Sequence, residues 1–500
     1  MQDGYLRPFD PIDVLSRGQL EAVHGTSVAI LETCGANVRH GGALSLLKEA
    51  GCLVDFETQM ARIPAGLAEE CLRLTPSSYV IRARDAANDV QVGGDRVHFM
   101  QGMGMRYVDP DTWELRPATL QEHAEAQIVG DALPNVHLMD GVFAYTDLAG
   151  VPGIMQQLEG LASGFRHSSK AQHYGYMKDS DRFAIRMAQA LDVTLETEVD
   201  VAPAVAFGED AVNTIWRFAE LGWGIEACPG GNAGVTAPAS LAGTAAQHWA
   251  ATMAFIVLAQ LIRRGAPVGM QLAGWVVHTK WAIPITAAPE AWYVGAVTNQ
   301  LCRRWNIPIT TPTGFCGQAK MFDYQAAAEK ALGVVSTVLS GSNLHVLQGS
   351  HGEELGFSNI LQVMDDDIAG AIGRFLQGTE VNDETLALEV VRQIGTAPAS
   401  FMNTAHTRKY WAKDRFAPSA ADWDTHVEWL RSGKKDIVTR ARERAEAIIA
   451  EHEPPSLTAE QERAVSEILG EAREYYRATG DIRVDEWNSY VSALDTAGLL

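Results

Sequence analysis

Clustered cysteine is the first thing this sequence lacks. Cys34, Cys52, Cys71, Cys228, Cys302 and Cys316 are scattered through 500 residues with no CxxC or CxxH spacing. That excludes a zinc ribbon or a disulfide framework and reads as reduced thiols in a cytoplasmic protein. Positive charge is also short: 40 Lys and Arg against 62 Asp and Glu leave a net charge of −22. A nucleic-acid partner is disfavoured, because phosphate binding relies on clustered Lys and Arg. No apolar run reaches the ~20 residues a membrane span needs. The longest, WAATMAFIVLAQLI from Trp249, is bounded by His248 and by Arg263 and Arg264 and is expected to be a buried helix. Neither GxGxxG opening a helix after the first strand nor GxxxxGK[ST] occurs, so no dinucleotide or P-loop site is signalled.

What is present is a regular alternation. Short apolar runs start at Val97, Val136, Ala171, Ala202, Gly224, Ala266, Ile307 and Asn343, and segments with helical spacing follow them, such as DRFAIRMAQAL, DAVNTIWRFAELG and AWYVGAVTNQLCRRW. Repeated strand–helix units argue for a parallel sheet, and about eight of them over about 250 residues argue for a closed (β/α)₈ TIM barrel. The expected fold is α/β: an N-terminal elaboration over 1–96, the barrel over 97–351, and a mostly helical C-terminal region over 352–500.

In such a barrel the chemistry belongs to the loops at the C-terminal strand ends. GFCGQAKMFDYQ, from Gly314, would be the loop after strand seven, so Lys320 and Asp323 could face the site; equally, Asp323 could cap a helix and Glu329 pair on its surface. The glycine-rich ACPGGNAGVTAPAS follows strand five, and LAGWVVHTKW after strand six delivers Trp275, His278 and Trp281. Aromatics recur at strand ends, including Phe143, Tyr145, Tyr174, Tyr176 and Phe315. Singly such rings are more often core; together they suit a permanent cation, held by ring faces. In strand five, Ile225 and Ala227 flank Glu226. If those two face the helices, Glu226 and Cys228 point inward, where the carboxylate could complement a cation or bond to inner-layer polar groups.

An ordered series of segments carries a resemblance over nearly the whole chain: AILETCGANVRHGGALSLLKEAG, YVIRARD at Tyr79, MRYVDPDTWELRPATLQE, DALPNVHLMDG, CPGGNAGVTAPASLAGTAAQ, KMFDYQAAAEKAL, IGTAPASFMNTAHT and RARERAEAIIAEHEPPSL. The chain resembles the trimethylamine methyltransferase family, in particular its members without pyrrolysine, some of which demethylate glycine betaine and related quaternary amines. The resemblance implies a TIM barrel whose methyl acceptor is the Co(I) corrinoid of a small partner protein docked at the barrel mouth. Where the pyrrolysine enzymes carry that residue, this chain has NLHVLQGSHGEE, with His345, Gln348 and His351, which turns the reading toward a quaternary amine.

A quaternary nitrogen leaves as a neutral amine without a proton being supplied, so no Lewis-acid metal is required and none is expected at Cys228 and Cys316. The candidate catalytic residues are Glu226 and Gln348. The candidate substrate contacts are Tyr174, Trp275 and Phe315 for the cation, with His278, Lys320 and His351 as donors to a substrate carboxylate. Direct transfer to tetrahydrofolate and a non-catalytic betaine-binding barrel are the alternatives. A homo-oligomer and a cognate corrinoid protein are the expected partners, with neither nucleic acid nor membrane.

Overall fold

The computed structural model describes residues 4–141, 144–271, 275–311, 317–395 and 400–499. Eight parallel strands form the centre: β1 (Arg96–Gln101), β2 (Leu138–Asp140), β3 (Ala171–Gly175), β4 (Leu195–Val201), β5 (Ile225–Pro229), β6 (Val268–Gln271), β7 (Ile309–Thr311) and β8 (Leu344–Gln348). Each pairs with the next in chain order, and β8 pairs with β1, so the sheet closes into the expected barrel. Seven strands fall on the apolar runs. The fourth does not: LETEVDV forms β4, while APAVAFG leads out of it to Ala206–Phe207, which joins the N-terminal sheet beside Asn37 and Val38. Its alternating acids leave β4 without an apolar run, because in a barrel the polar face can be the interior.

The helices after the strands are α1 (Leu120–Ala132), α2 (Gly153–His167), α3 (Ser180–Ala190), α4 (Glu209–Leu221), α5 (Leu241–Ile262), α6 (Pro289–Trp305), α7 (Tyr324–Ser340) and α8 (Asn359–Leu376). Local signals start several of them. Thr119 and Glu122 form a capping box at α1, satisfying two amides that the helix itself leaves unpaired. Asp323 caps α7 by accepting from the amides of Gln325 and Ala326. The last barrel helix, α8, lies beyond residue 351: its Ala369, Ile372 and Leu376 pack with Val97, Phe99 and Leu347 of β1 and β8.

Helix α5 is apolar on every side. It is 22 residues long, longer than the run that marks it in the sequence, and by length and composition it passes for a membrane span, yet 89% of that window is buried inside the protein. The helix Arg17–Thr33 covers it, with Ser27 donating to the Ala246 carbonyl (2.8 Å) and the Trp249 indole donating to His24 (2.9 Å). An all-round apolar helix needs such cover on both sides.

The N-terminal end of the barrel is plugged by the hairpin Ser78–Ile81 and Val90–Gly93, whose Tyr79, Ile81, Val90 and Val92 pack on Met100, Leu138, Ala171, Leu344 and Val346. A Cβ at Gly224 or Gly269 would strike the Tyr79 ring or its hydroxyl at 2.6 and 2.9 Å, so glycine at both places admits that ring. At the C-terminus, Ala459–Ala478 and Val484–Thr496 pack on α2 and α3. There Arg473 pairs with buried Glu159 at 2.7 Å.

Candidate active site

Strand β4 supplies most of the charge. In LETEVDV the acids occupy alternate positions and share one face, while Leu195, Val199 and Val201 pack outward among the helices. The acid face is the barrel interior. Asp200 is exposed at the C-terminal mouth, Glu198 is half-buried below it, and Glu196 is fully buried, a ladder about 13 Å long. On β5 the same alternation sends Ile225 and Ala227 into the outer core and turns Glu226 and Cys228 inward, Glu226 in register with Glu198 and Cys228 with Asp200.

Carboxylates this close must be neutralised by protons, by cations or by hydrogen bonds. His173 of β3 lies between two of them, Nδ1 3.9 Å from Asp140 and Nε2 3.6 Å from Glu226. Burial alone would push the imidazole down, but these two acids outweigh it and hold His173 well above its ordinary range. Donor atoms of His173, Glu198 and Glu226 lie within 4.8 Å of one another, a spacing that a metal ion fits. With Asp140 and Glu226 beside its two nitrogens, a protonated ring bridges the two acids. Glu196 is raised well above the carboxylate range by burial and then by Glu226, and it accepts a hydrogen bond from the Tyr79 hydroxyl.

Above this cluster a cavity of about 270 Å³ opens at the strand ends, lined by Met103, Gly104, Met105, Thr146, Glu198, Asp200, Cys228, Gln271, Trp275 and Glu354. Glu354 comes from the turn after β8, where Glu353 and Glu354 both hold positive φ (59° and 65°). Two successive non-glycine residues in that region store strain of about 1–3 kcal/mol each, borne by ties around the turn. The Thr286 amide donates to Glu353 (3.1 Å), and Gly352 and Glu353 donate to the carbonyls of Ala319 and Gly317. Burial, then Asp200 and Asp140, raise Glu354 to about 7. Burial raises Glu198 to about 8 against the opposing influence of His173 and of the neighbouring Gln271 amide. Asp200 reaches solvent at the mouth, but the surrounding barrel wall desolvates it and shifts it upward as well. Burial shifts these acids toward their neutral forms; a bound cation shifts them back toward their anions.

The residues singled out in the sequence separate into groups. Glu226 lies beneath the cavity against His173, and Trp275 lines it, its indole N–H buried without a partner. Trp275 opens a short strand, Trp275–Val277, that pairs with Asn232–Ala233 and with Pro284–Ile285 over the mouth. Phe143, Phe315 and Cys316 lie outside the described residues. Tyr174 points away: alternation on β3 turns it outward, where its hydroxyl donates to Ser180 (2.5 Å). Gln348 is also turned aside. A bulge between Val346 and Gln348 shifts its register, and its amide donates to the Asn135 carbonyl (3.1 Å).

The three expected donors to a substrate carboxylate are not in the lining. His278 accepts from the amides of Lys280 and Trp281 in its own turn, Lys320 is exposed and bonds the Gln318 carbonyl, and buried His351 stacks edge-on to Phe322. Burial, then Lys330, lower His351 to about 4 and keep it neutral. His345 faces outward from β8, beside Thr337 and Phe99. Asp323 and Glu329 take the structural alternative: the first caps α7 and the second accepts from the Gln318 and Ala319 amides. Glu198, Asp200 and Glu354 were not singled out, although the period-two acids of LETEVDV are the signal that marks the first two.

A family model described as trimethylamine methyltransferase (MTTB) matches residues 2–474. The trimethylamine methyltransferase MttB of Desulfitobacterium hafniense (strain DSM 10664 / DCB-2) is 28% identical over 471 residues, covering 92% of this chain and 93% of its own. The glycine betaine methyltransferase of Desulfitobacterium hafniense (strain Y51) is 26% identical over 460 residues, covering 90% and 94%. Among solved structures, the Methanosarcina barkeri monomethylamine methyltransferase (MtmB) aligns with a TM-score of 0.49 at 11% identity, covering 86% of this chain and 94% of that one.

Proposed function

The chain belongs to the trimethylamine methyltransferase family, and on that premise we propose that it takes an N-methyl group from a quaternary ammonium compound and passes it to the corrinoid of a partner protein. The observation that carries this reading is the acid-lined cavity with Trp275 at the C-terminal mouth of the barrel. Glu198, Asp200 and Glu354 complement a positive centre, and the Trp275 ring adds a face for it. The corrinoid would supply a cobalt nucleophile.

The protein's own part is to seat the ammonium group, exclude water and point one methyl group out of the mouth. No group need protonate the leaving nitrogen. His173, Glu226 and Glu196 sit beneath the cavity and hold its floor acids in place. Around the mouth, loops after five strands expose large apolar side chains: Met105 after β1, Val235 after β5, Trp281 and Ile283 after β6, Met321 after β7 and Leu355 after β8. Such a rim is what a docked protein carrying a large cofactor would cover.

The test is reconstitution. Purified chain, a quaternary amine and a reduced corrinoid protein are expected to give the demethylated amine by mass spectrometry together with loss of the reduced corrinoid's visible absorbance. Equal turnover with free tetrahydrofolate and no corrinoid protein would replace this acceptor by the folate. Trp281→Glu with Met321→Glu should lower transfer about tenfold or more, as expected when interface anchors are lost, while leaving amine binding unchanged. Unaltered transfer would place the partner elsewhere.

A further inference from the structure

The cavity's polar groups describe the substrate's substituent as well as its cation. Among the described lining residues there is no Lys, Arg or His, and the remaining residues at these strand ends, 142–143, 272–274 and 312–316, include none in sequence. What the lining offers instead is acceptors. The Gln271 side chain lies beside Glu198 and is 3% exposed. Its Oε1 is left buried with no hydrogen-bond partner. The indole N–H of Trp275 is the complementary orphan, a buried donor without an acceptor.

A carboxylate on the substrate could use Trp275 but would face Glu198, Asp200, Glu354 and the Gln271 carbonyl, and the nearest cation, His173, already lies between Asp140 and Glu226 beneath the cavity. A hydroxyl group can do both things at once, donating to an acceptor such as Gln271 Oε1 and accepting from Trp275. A site built to hydrogen-bond a hydroxyl discriminates strongly, because its buried groups are otherwise unpaired. Volume does not decide the matter. At about 30 Å³ per non-hydrogen atom, water's share in the liquid, choline needs about 210 Å³ and glycine betaine about 240 Å³, and both fit about 270 Å³.

We infer that this cavity takes a quaternary ammonium carrying a neutral hydroxyl substituent, an amino alcohol of the choline type, and rejects the corresponding carboxylate. This rests on the quaternary-amine reading and narrows it.

Titration calorimetry of the intact chain with choline, glycine betaine and tetramethylammonium tests it, since the three share the ammonium group and differ in the substituent. The expected order is choline tightest, tetramethylammonium weaker, and glycine betaine at least tenfold weaker than choline. Gln271→Leu should lower the ratio of choline affinity to tetramethylammonium affinity at least tenfold, a selective loss that a general loss of structure would not produce. Glycine betaine binding as tightly as choline, or a Gln271→Leu variant that weakens both ligands equally, would overturn the hydroxyl assignment while leaving the quaternary-amine reading in place. Failure of all three ligands to bind would overturn that reading as well.

Discussion

At the residue scale the site depends on which side chains keep their charge. Glu354 is the informative one, because it lines the mouth on a turn held by backbone contacts. Glu354→Gln keeps the shape and removes the anion. It is expected to weaken binding of a quaternary ammonium about tenfold, roughly 1.4 kcal/mol, without lowering the melting temperature; an unchanged Kd by calorimetry would exclude Glu354 from cation binding. Trp275→Ala removes the one ring in the described lining and should cost up to about 2 kcal/mol of affinity. The two losses should not simply add if both groups touch one cation, so the double variant is the sharper measurement. Tyr174, although aromatic and on a barrel strand, should be silent in the same assay because it faces Ser180.

Among elements, the end of β8 is held by a buried ion pair. Lys330 of α7 meets Asp365 of α8 at 2.5 Å, both side chains 1% exposed, and Lys330 also donates to the Ser350 carbonyl while the Gly349 amide donates to Asp365. Two helices thereby fix the segment that leads into the Glu353–Glu354 turn. Lys330→Met should leave Asp365 buried without its cation and destabilise the chain by roughly 3–5 kcal/mol, measured as a drop in urea midpoint. Lys330→Met combined with Asp365→Leu should recover much of that loss. A single variant as stable as the parent would show that the pair contributes nothing to holding β8. The bulge in β8 belongs to the same scale: one extra residue rotates Gln348 out of the position that simple alternation assigns it.

For the whole molecule, the acids at the barrel mouth couple stability to pH. Glu198 and Glu353 are raised to about 8 and Glu354 to about 7, all chiefly by burial, against 4.5 in an unstructured chain. The folded state therefore holds protons that the unfolded state has released. Stability from these groups is complete below about pH 4.5 and is lost as pH rises through about 7 to 8. The melting temperature should thus fall between about pH 5 and about pH 8 and level off above, and Glu198→Gln with Glu353→Gln should flatten the slope. A bound quaternary ammonium favours the anions, so its affinity should rise over the same interval, with proton release visible as buffer-dependent heats of binding. Affinity that falls with pH would mean that the neutral acids, and not the carboxylates, hold the ligand.

Much of this protein is determined by short-range pattern. Apolar runs spaced by helical segments define seven strands and a closed barrel, because a parallel strand buried on both faces must be apolar and must be followed by a crossover helix. Alternation also puts Glu226 and Cys228 on one face and Ile225 and Ala227 on the other, leaving the structure to show which face is inward, and the ordered motifs identify the family. Only the tertiary structure decided the rest. LETEVDV became the fourth strand because the barrel interior here is polar, and no local property distinguishes an acid facing an enclosed cavity from one facing solvent. Glu354 reached the mouth through a strained turn that contacts from Thr286, Gly317 and Ala319 hold in place, and Gln348 left it through a bulge. Which side chains converge on one cavity is set by strand register and long-range contacts, and those are fixed by packing between segments far apart in the chain.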